Sequence, residues 1–463
     1  MSSGERYMQD LTRGSIATHL VSMAAPLAAG MLFQTLYYFV DLYFVGQLGD
    51  AALAGVSAAG NVAFIVFALT QSLGVGAIAL ISQAVGRKAA GEADLIFNQA
   101  LGMSALLGGL TLVVYYVASE PYMRTVTSDA ETIREGARYL YWFGPGLALQ
   151  FAMVVMASAL RGTGIVKPTM IVQVATLLLN AVLAPIFIAG WGTGRELGVA
   201  GAGLASSVAI AVGVAMLAFY FLRLERYVGF RLDQCWPRLD AWAKILKIGT
   251  PVGGEFALIF LYNAITYWAI RSFGPAAQAG FGVGSRVMQG VFVPALAIAF
   301  AAAPIAGQNF GAGNAQRVRE TFARTALLTS SAMLLLTALC QWDCELLARP
   351  FSTDAEVVRI AGLYLHLISW NFVAQGLIFA CSNLFQGLGN TMPSILSSAT
   401  RLLTYALPAI WLSTQPFFHI EYIWYWSILT TWLQALTSWL LLRQQFRSRL
   451  GAFESRPALA LVD

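Results

Sequence analysis

Two acidic residues lie well inside long apolar stretches of the chain, and they are the first candidates for chemistry. Of the 23 Asp and Glu residues, Asp41 and Glu255 are the two in such positions. An ionised carboxylate is costly in hydrocarbon, so an acid there normally faces a protein interior and marks an ion pathway or a proton site. We predict that Asp41 couples to an ion. Glu255 is a second candidate acid, with structural pairing to a basic group as the alternative.

The residues around Asp41 strengthen its assignment. Gln34, Tyr37, Tyr38 and Asp41 recur at spacings of three and four residues, which places them on one face of a helix. The rest of that segment is apolar, so the four would form a polar stripe. The alternative is an interfacial acid whose side chain reaches water, but an isolated interfacial acid would not need such a stripe.

Further polar residues interrupt other apolar runs. Asn180 and Ser206 would hydrogen-bond between helices, and Tyr139 would be an interfacial aromatic residue. They become partners of Asp41 if their helices converge on it. Gln150 and Gln375, together with Gln34, are candidates for the lining of a substrate cavity.

The elements that must position these residues follow from composition. The chain has 463 residues, of which 58% are hydrophobic and 11% charged, and its mean hydropathy is +0.67. Soluble proteins average about 25% charged residues, so this class is excluded. A membrane helix needs about 20 apolar residues. Twelve such stretches are centred near Leu32, Leu69, Leu107, Phe151, Leu178, Ile210, Ile259, Ala295, Leu334, Phe372, Tyr405 and Leu433. The predicted fold is an all-α polytopic membrane protein with twelve transmembrane helices.

The basic residues predict an orientation. With the N-terminus in the cytoplasm, nineteen Lys and Arg residues fall on the inner side and seven on the outer side. This asymmetry predicts cytoplasmic termini by the positive-inside rule. The net charge of +5 therefore needs no nucleic-acid partner.

The chain also repeats itself. A shift of 225 residues aligns Pro26 with Pro251 and Gly86 with Gly311, with 14 identities in 61 pairs, where about five or six would arise by chance. An even number of spans per repeat predicts a parallel repeat of two six-helix lobes, the architecture of several transporters. We predict an N-terminal lobe at 15–223, a cytoplasmic linker at 224–243, a C-terminal lobe at 244–443 and a cytoplasmic tail at 444–463.

Motifs for enzymatic chemistry are missing from the sequence. It contains no G-x-x-x-x-G-K-[ST], H-E-x-x-H or G-x-S-x-G, and His19, His366 and His419 are scattered. We therefore expect a protein that is not an enzyme, with neither a metal site nor a cofactor.

Several segments together resemble the multidrug and toxin extrusion (MATE) transporters. The segments are PLAAGMLFQTLYYFVDLYFVGQLGDAALAG at 26–55, QAVG at 83–86, RGTG at 161–164, NAVLAPIFI at 180–188 and GQNFGAG at 307–313. The resemblance extends from about Ser15 to Arg443. It implies two six-helix lobes and efflux of organic cations coupled to H⁺ or Na⁺. It also implies that Asp41 binds the coupling cation, while Asn180 matches a fifth-span Asn and Ser206 a common small hydroxyl residue.

Departures from the family pattern favour H⁺ as the coupling ion. The usual fifth-span N-x-x-x-D-P has Ala184 at its acidic position, and the acids of the NorM-like branch would align with Leu261 and Gln375. Since Na⁺ favours several charged oxygens, we expect H⁺ coupling through Asp41, as in the DinF-like branch. Tyr37, Asn180 and Tyr139 would change their hydrogen bonding when Asp41 is protonated.

The expected function is a secondary active antiporter that exports amphipathic, often cationic, drugs by alternating access. It would be a monomer in the lipid bilayer of a bacterial inner membrane. The alternative is a lipid-linked oligosaccharide flippase of the same superfamily, whose cavity would need basic residues to hold a pyrophosphate. Only Arg286 and Arg401 are candidates for that role.

Overall fold

The computed structural model describes residues 9–192, 194–225 and 227–454, apart from the side chains of Tyr38, Leu42, Leu232, Ala452 and Glu454. Every regular element in these ranges is helical. The α-helices are α1 (Ile16–Gly46), α2 (Asp50–Gly86), α3 (Ala90–Val126), α4 (Ala130–Gly162), α5 (Lys167–Ile188), α6 (Val199–Arg223), α7 (Leu239–Ala269), α8 (Pro275–Gly311), α9 (Ala315–Trp342), α10 (Cys344–Ala348), α11 (Ala355–Ile368), α12 (Phe372–Gly387), α13 (Met392–Leu412), α14 (Ile420–Gln445) and α15 (Gly451–Glu454). Short 3₁₀ turns occupy Leu232–Gln234, Arg271–Phe273, Arg349–Phe351 and Ser369–Asn371, and Phe446–Leu450 forms a π turn.

Eleven of the described helical segments are long and apolar enough to cross a membrane. One of them, Ala355–Gly387, is formed by α11, the turn that follows it and α12. The twelfth predicted span coincides with α14, which has 26 residues but is less apolar because its sequence carries four Trp together with Ser, Thr and Gln. The predicted class, an all-α polytopic membrane protein, is confirmed.

The helices repeat along the chain as the sequence does. α2 and α8 each have 37 residues and begin 225 residues apart. The breaks between helices repeat as well. Gly49 and Gly274 precede these two helices with φ of 111° and 87°, in a region that favours glycine. Asp129 and Asp354 share φ −74° and ψ 118°, and each carboxylate caps the helix that follows.

The contacts divide the chain into two compact units. The first unit contains Ala29–Thr250, and the second contains Leu11–Ala28 together with the chain from Pro251 onward. Consequently α1 begins in the second unit and ends in the first, while α7 does the reverse. These units follow contacts, whereas the predicted lobes at 15–223 and 244–443 follow the sequence repeat, so the lobe limits stay a prediction.

The predicted linker at 224–243 is docked on α3 through three polar side chains. The Asp94 carboxylate accepts hydrogen bonds from Gly229 N–H at 2.9 Å and from Arg231 Nε at 2.7 Å. This carboxylate raises the pKa of Arg231 through its hydrogen bond and its charge. Asn98 and Gln99 bind backbone groups between 229 and 238. Position 226 of the linker and positions 455–463 of the predicted tail lie outside the described residues.

Candidate functional site

The carboxylate of Asp41 is buried inside the first unit. Its side chain lies on α1 and only 6% of the residue is exposed. The Ser206 hydroxyl, on α6, donates a hydrogen bond to Asp41 Oδ2 at 2.8 Å. Asp41 therefore faces other helices of its unit. Tyr38, also in the predicted polar stripe, lies outside the described side chains, and Gln34 is exposed.

Asn180 extends this contact to a third helix. Its Nδ2 on α5 donates to Ser206 Oγ at 3.2 Å and to Tyr37 Oη on α1, also at 3.2 Å. Asn180 and Ser206 are both fully buried. The structure thus brings together Asp41, Ser206, Asn180 and Tyr37, which we call the Asp41 cluster.

Small residues allow the three helices to approach one another. A Cβ atom at Gly30 of α1 would overlap the side chain of Gln173 on α5, and one at Gly201 of α6 would overlap the Phe187 carbonyl on α5. One at Gly203 would lie 2.8 Å from the Tyr139 carbonyl on α4. Glycine at these positions therefore places the backbone of α6 against α4 and α5, with Ser206 one turn further on.

The cluster contains one charged group, and that group is incompletely satisfied. No Lys, Arg or His side chain of the described residues lies within 4.0 Å of Asp41, and its Oδ1 atom is buried without a hydrogen-bond partner there. The Oδ1 atom of Asn180 is in the same condition. Buried polar atoms are normally paired, so two unpaired oxygens in one cluster leave room for a proton or a small cation.

The other predicted residues lie outside these hydrogen bonds or beside them. Tyr139 is a buried residue of α4, and its ring centroid is 5.2 Å from that of Phe143. Gln150 on α4 and Gln375 on α12 are half-buried at equivalent positions of the repeat. Within the described part of the chain, no hydrogen bond joins Gln34, Gln150 or Gln375 to Asp41.

Glu255 belongs to a different environment, in the second unit. Ser394 on α13 lies beside its carboxylate, and the Ser394 hydroxyl pairs with Ser382 Oγ on α12 at 2.7 Å. The Oε1 atom is buried without a hydrogen-bond partner among the described residues. No described basic side chain lies within 4.0 Å, so the described residues show no pairing of Glu255 with a basic group.

Sequence reasoning missed a second polar network, at the equivalent position of the second unit. The 225-residue shift places Tyr37 on Tyr262, Asp41 on Thr266 and Asn180 on Tyr405. Thr266 Oγ1 pairs with Tyr405 Oη at 2.8 Å, and Tyr262 Oη pairs with Ser427 Oγ at 2.8 Å. The sequence contains one indication of this network, since the repeat alignment pairs Asn180 with another polar residue, Tyr405. A tyrosine in a membrane span is, however, easily interpreted as a residue of the packed core.

A comparison with protein families decides the family. The MatE family model matches residues 26–186 and again residues 251–411. The chain belongs to the MatE family. The two matches begin 225 residues apart, which confirms the predicted internal repeat, and this membership makes the chain a multi-pass membrane protein of a transporter family.

Individual relatives span most of this MatE chain at low identity. An FAD transporter of Shewanella oneidensis is 23% identical, covering 86% of this chain and 88% of its own. The probable multidrug resistance protein YpnP of Bacillus subtilis is 26% identical, covering 82% and 86%. The structure of a MOP superfamily transporter from Pyrococcus furiosus is similar with a TM-score of 0.87 and 24% identity, covering 97% of this chain and all of that one. At that identity the structural likeness supports the fold alone.

Proposed function

We propose that this MatE protein is a secondary active antiporter that exports organic, often cationic, compounds in exchange for H⁺. The observation that carries the proposal is the Asp41 cluster, in which one buried carboxylate is hydrogen-bonded by Ser206 and has no basic partner among the described residues. Protonation from the outside would neutralise the charge and rearrange the bonds to Ser206, Asn180 and Tyr37. A ligand shifts a conformational equilibrium only through its different affinity for two states, and this rearrangement supplies such a difference.

Proton coupling is favoured over Na⁺ coupling by the ligands present. The carboxylate that the family pattern would add is replaced by Ala184, which is buried one turn after Asn180 on α5. Among the residues that the structure describes, Asp41 Oδ1 and Asn180 Oδ1 remain as unpaired oxygens. Na⁺, a hard cation, needs more oxygen ligands than these two, whereas a proton needs one.

The substrate class rests on composition and on relatives. YpnP is named a probable multidrug resistance protein and the Shewanella protein an FAD transporter, so organic molecules with aromatic rings are the proposed cargo. The chain carries 12 Trp, 28 Phe and 13 Met residues, and such side chains accept varied apolar ligands. Transport would proceed by alternating access in a bacterial inner membrane, by a monomer with both termini in the cytoplasm and without catalysis.

The test is transport of a fluorescent organic cation by purified protein in proteoliposomes, with a pH gradient and a Na⁺ gradient imposed separately. We expect the pH gradient alone to drive transport and Asp41→Asn to reduce it to the level of protein-free liposomes. Glu255→Gln is compared with Asp41→Asn in the same assay, because it neutralises the other intramembrane acid and leaves Asp41 unchanged. Full proton-driven transport by Asp41→Asn would contradict the proposal. Transport driven by the Na⁺ gradient alone would show that Na⁺, and not H⁺, is the coupling ion. Failure of both gradients would favour the flippase.

A further inference from the structure

A polar face runs along α13 in the second unit. Ser394, Ser397, Arg401 and Tyr405 follow one another at spacings of three or four residues. The opposite face carries Leu396, Leu403 and Leu407, which are 56%, 62% and 69% exposed. A helix between lipid and protein turns its apolar face to the lipid. The polar face, with Arg401, therefore points into the unit.

Arg401 is charged but barely paired. Its Cζ atom lies 4.5 Å from the centroid of the Tyr262 ring, and Nη1 donates one long hydrogen bond, 3.5 Å, to Gln434 Oε1. Its Nε atom is buried without a hydrogen-bond partner in the described part of the chain. No carboxylate of the described chain lies within 4.0 Å. A guanidinium group has five N–H donors arranged as a planar fork, so most of this one's capacity is unused.

The groups around Arg401 are already satisfied by one another. The hydroxyl of Tyr262 pairs with Ser427, and that of Tyr405 pairs with Thr266. The Tyr262 and Tyr405 ring centroids are 4.4 Å apart. These contacts hold the aromatic surface in place beneath the guanidinium. The unsatisfied group is therefore the cation, and an anion is the ligand that would complete both its hydrogen bonds and its charge.

The repeat shows that this charge is specific to the second unit. The position equivalent to Arg401 is Thr176, and the position equivalent to Asp41 is Thr266. At these two pairs of equivalent positions, the scaffold thus carries a negative charge only in the first unit and a positive charge only in the second, whereas Glu255 is a further acid of the second unit on a different position of the repeat. A structural role in the scaffold would not require opposite charges in its two copies.

We propose that Arg401 and Tyr262 form an anion-binding site for the phosphate or carboxylate group of an aromatic organic solute. The guanidinium fork would bind the anionic oxygens, while aromatic surface beside it would contact the ring. This inference rests on the proposed transport of organic compounds and adds to the proposed cations a second class, aromatic molecules that carry an anionic group.

A lipid headgroup is disfavoured as the source of that anion. Arg401 is the tenth of the 21 residues of α13, so it lies near the middle of the helix, roughly 15 Å from either end. Its side chain is also on the face opposite the exposed leucines. Phospholipid phosphates lie at the ends of membrane helices, whereas a transported solute passes their middle.

The test compares two ligands that share a ring and differ in charge. Equilibrium dialysis of the purified full-length protein in a neutral detergent would measure binding of 4-methylumbelliferyl phosphate and 4-methylumbelliferyl glucoside. We expect the phosphate to bind about tenfold more tightly, since a hydrogen bond to a charged group contributes about that factor. Added phosphatidylglycerol should not compete. Competition by this lipid would overturn the assignment to a solute.

Variants of Arg401 test whether this residue causes the preference for the charged probe over the neutral one. Arg401→Gln should abolish it, and Arg401→Lys, which keeps the charge but loses the planar fork, should retain part of it. Arg443→Gln is the matched control, because Arg443 also stacks on an aromatic ring, that of Trp439 at 5.6 Å, at the far end of α14. Equal binding of both probes, no binding of the phosphate, or an unchanged preference in Arg401→Gln would overturn the inference.

The dialysis uses no ion gradient, so its result is independent of the coupling experiment. If Asp41→Asn keeps full transport while Arg401→Gln loses the charge preference, the proposed coupling fails and the anion site stands. If Asp41→Asn abolishes transport and the two probes bind equally, the coupling stands and the anion site fails. Elution of Arg401→Lys as a single species would show that its binding is measured on folded protein.

Discussion

At the residue scale, the hydrogen bonds of the Asp41 cluster run in one direction. Asn180 donates to Ser206, and Ser206 donates to Asp41. The Ser206 hydroxyl has one proton, and that proton is committed to the carboxylate while Asp41 is ionised. Ser206 thus connects the charge of Asp41 with Asn180 on α5.

Replacement of Ser206 by alanine tests this connection. We expect Ser206→Ala to lower proton-driven transport about ten- to a hundredfold, because a hydrogen bond to a charged group contributes about 1.5–3 kcal/mol. Ser207→Ala is the control, since Ser207 is also buried and donates to the Trp142 carbonyl at 2.6 Å. Initial rates in the proteoliposome assay would be compared. Equal losses of transport rate in the two variants would show that Ser206 contributes through packing and not through its bond to Asp41.

At the scale of elements, α2 and the first half of α7 are joined by glycine contacts within the first unit. A Cβ atom at Gly76 would overlap the Ile245 carbonyl, and one at Gly249 would overlap the Ser72 carbonyl. Both neighbours are backbone atoms, which cannot rotate away. The two helices can therefore pack at this distance only while both positions are glycine.

Adding one methyl group tests that contact. Gly249→Ala should destabilise the protein by about 1–3 kcal/mol through overpacking. Gly60→Ala should be neutral or slightly stabilising, because nothing lies within 4 Å of a Cβ atom there and alanine favours a helix. Thermal unfolding of both variants in detergent provides the measurement. A similar midpoint for the two would mean that the helices separate easily.

At the scale of the whole molecule, the four cysteines report on topology. Cys235 is exposed in the segment between α6 and α7, whereas Cys340, Cys344 and Cys381 are buried. The predicted topology places Cys235 in the cytoplasm. A single native thiol is therefore available to a reagent that reaches the inner side.

A membrane-impermeant maleimide tests the topology in cells. We expect no labelling of intact cells and labelling of Cys235 once the inner membrane is permeabilised. Trp342→Cys in a Cys235→Ser background is the opposite control, since Trp342 is 90% exposed at the predicted outer end of α9 and should be labelled in intact cells. Labelling of Cys235 in intact cells would show that the orientation in the membrane is the opposite of the predicted one.

Sequence alone predicted the helices and the members of the Asp41 cluster better than their connections. Asp41 was identified because a carboxylate is rare in an apolar run. Asn180 and Ser206 were identified because they are polar residues in long apolar runs. Their convergence depends on glycine contacts such as Gly201 with Phe187, which no periodicity reveals. Arg401 was noted as a basic residue of a span, but its stacking on Tyr262 joins positions 139 residues apart and required coordinates.

The segment Leu11–Ala28 belongs to the second unit, most of which is synthesised much later, from Pro251 onward. Leu11 is fully buried; its N–H donates to Gln308 Oε1 at 3.0 Å, and its carbonyl accepts from Asn309 Nδ2 at 3.1 Å. Gln308 lies 297 residues further along the chain, so at about 5–20 residues per second Leu11 waits about 15–60 s for these partners. During synthesis its backbone must be hydrated, and docking of the amino-terminal segment on the end of α8 is a late step of folding.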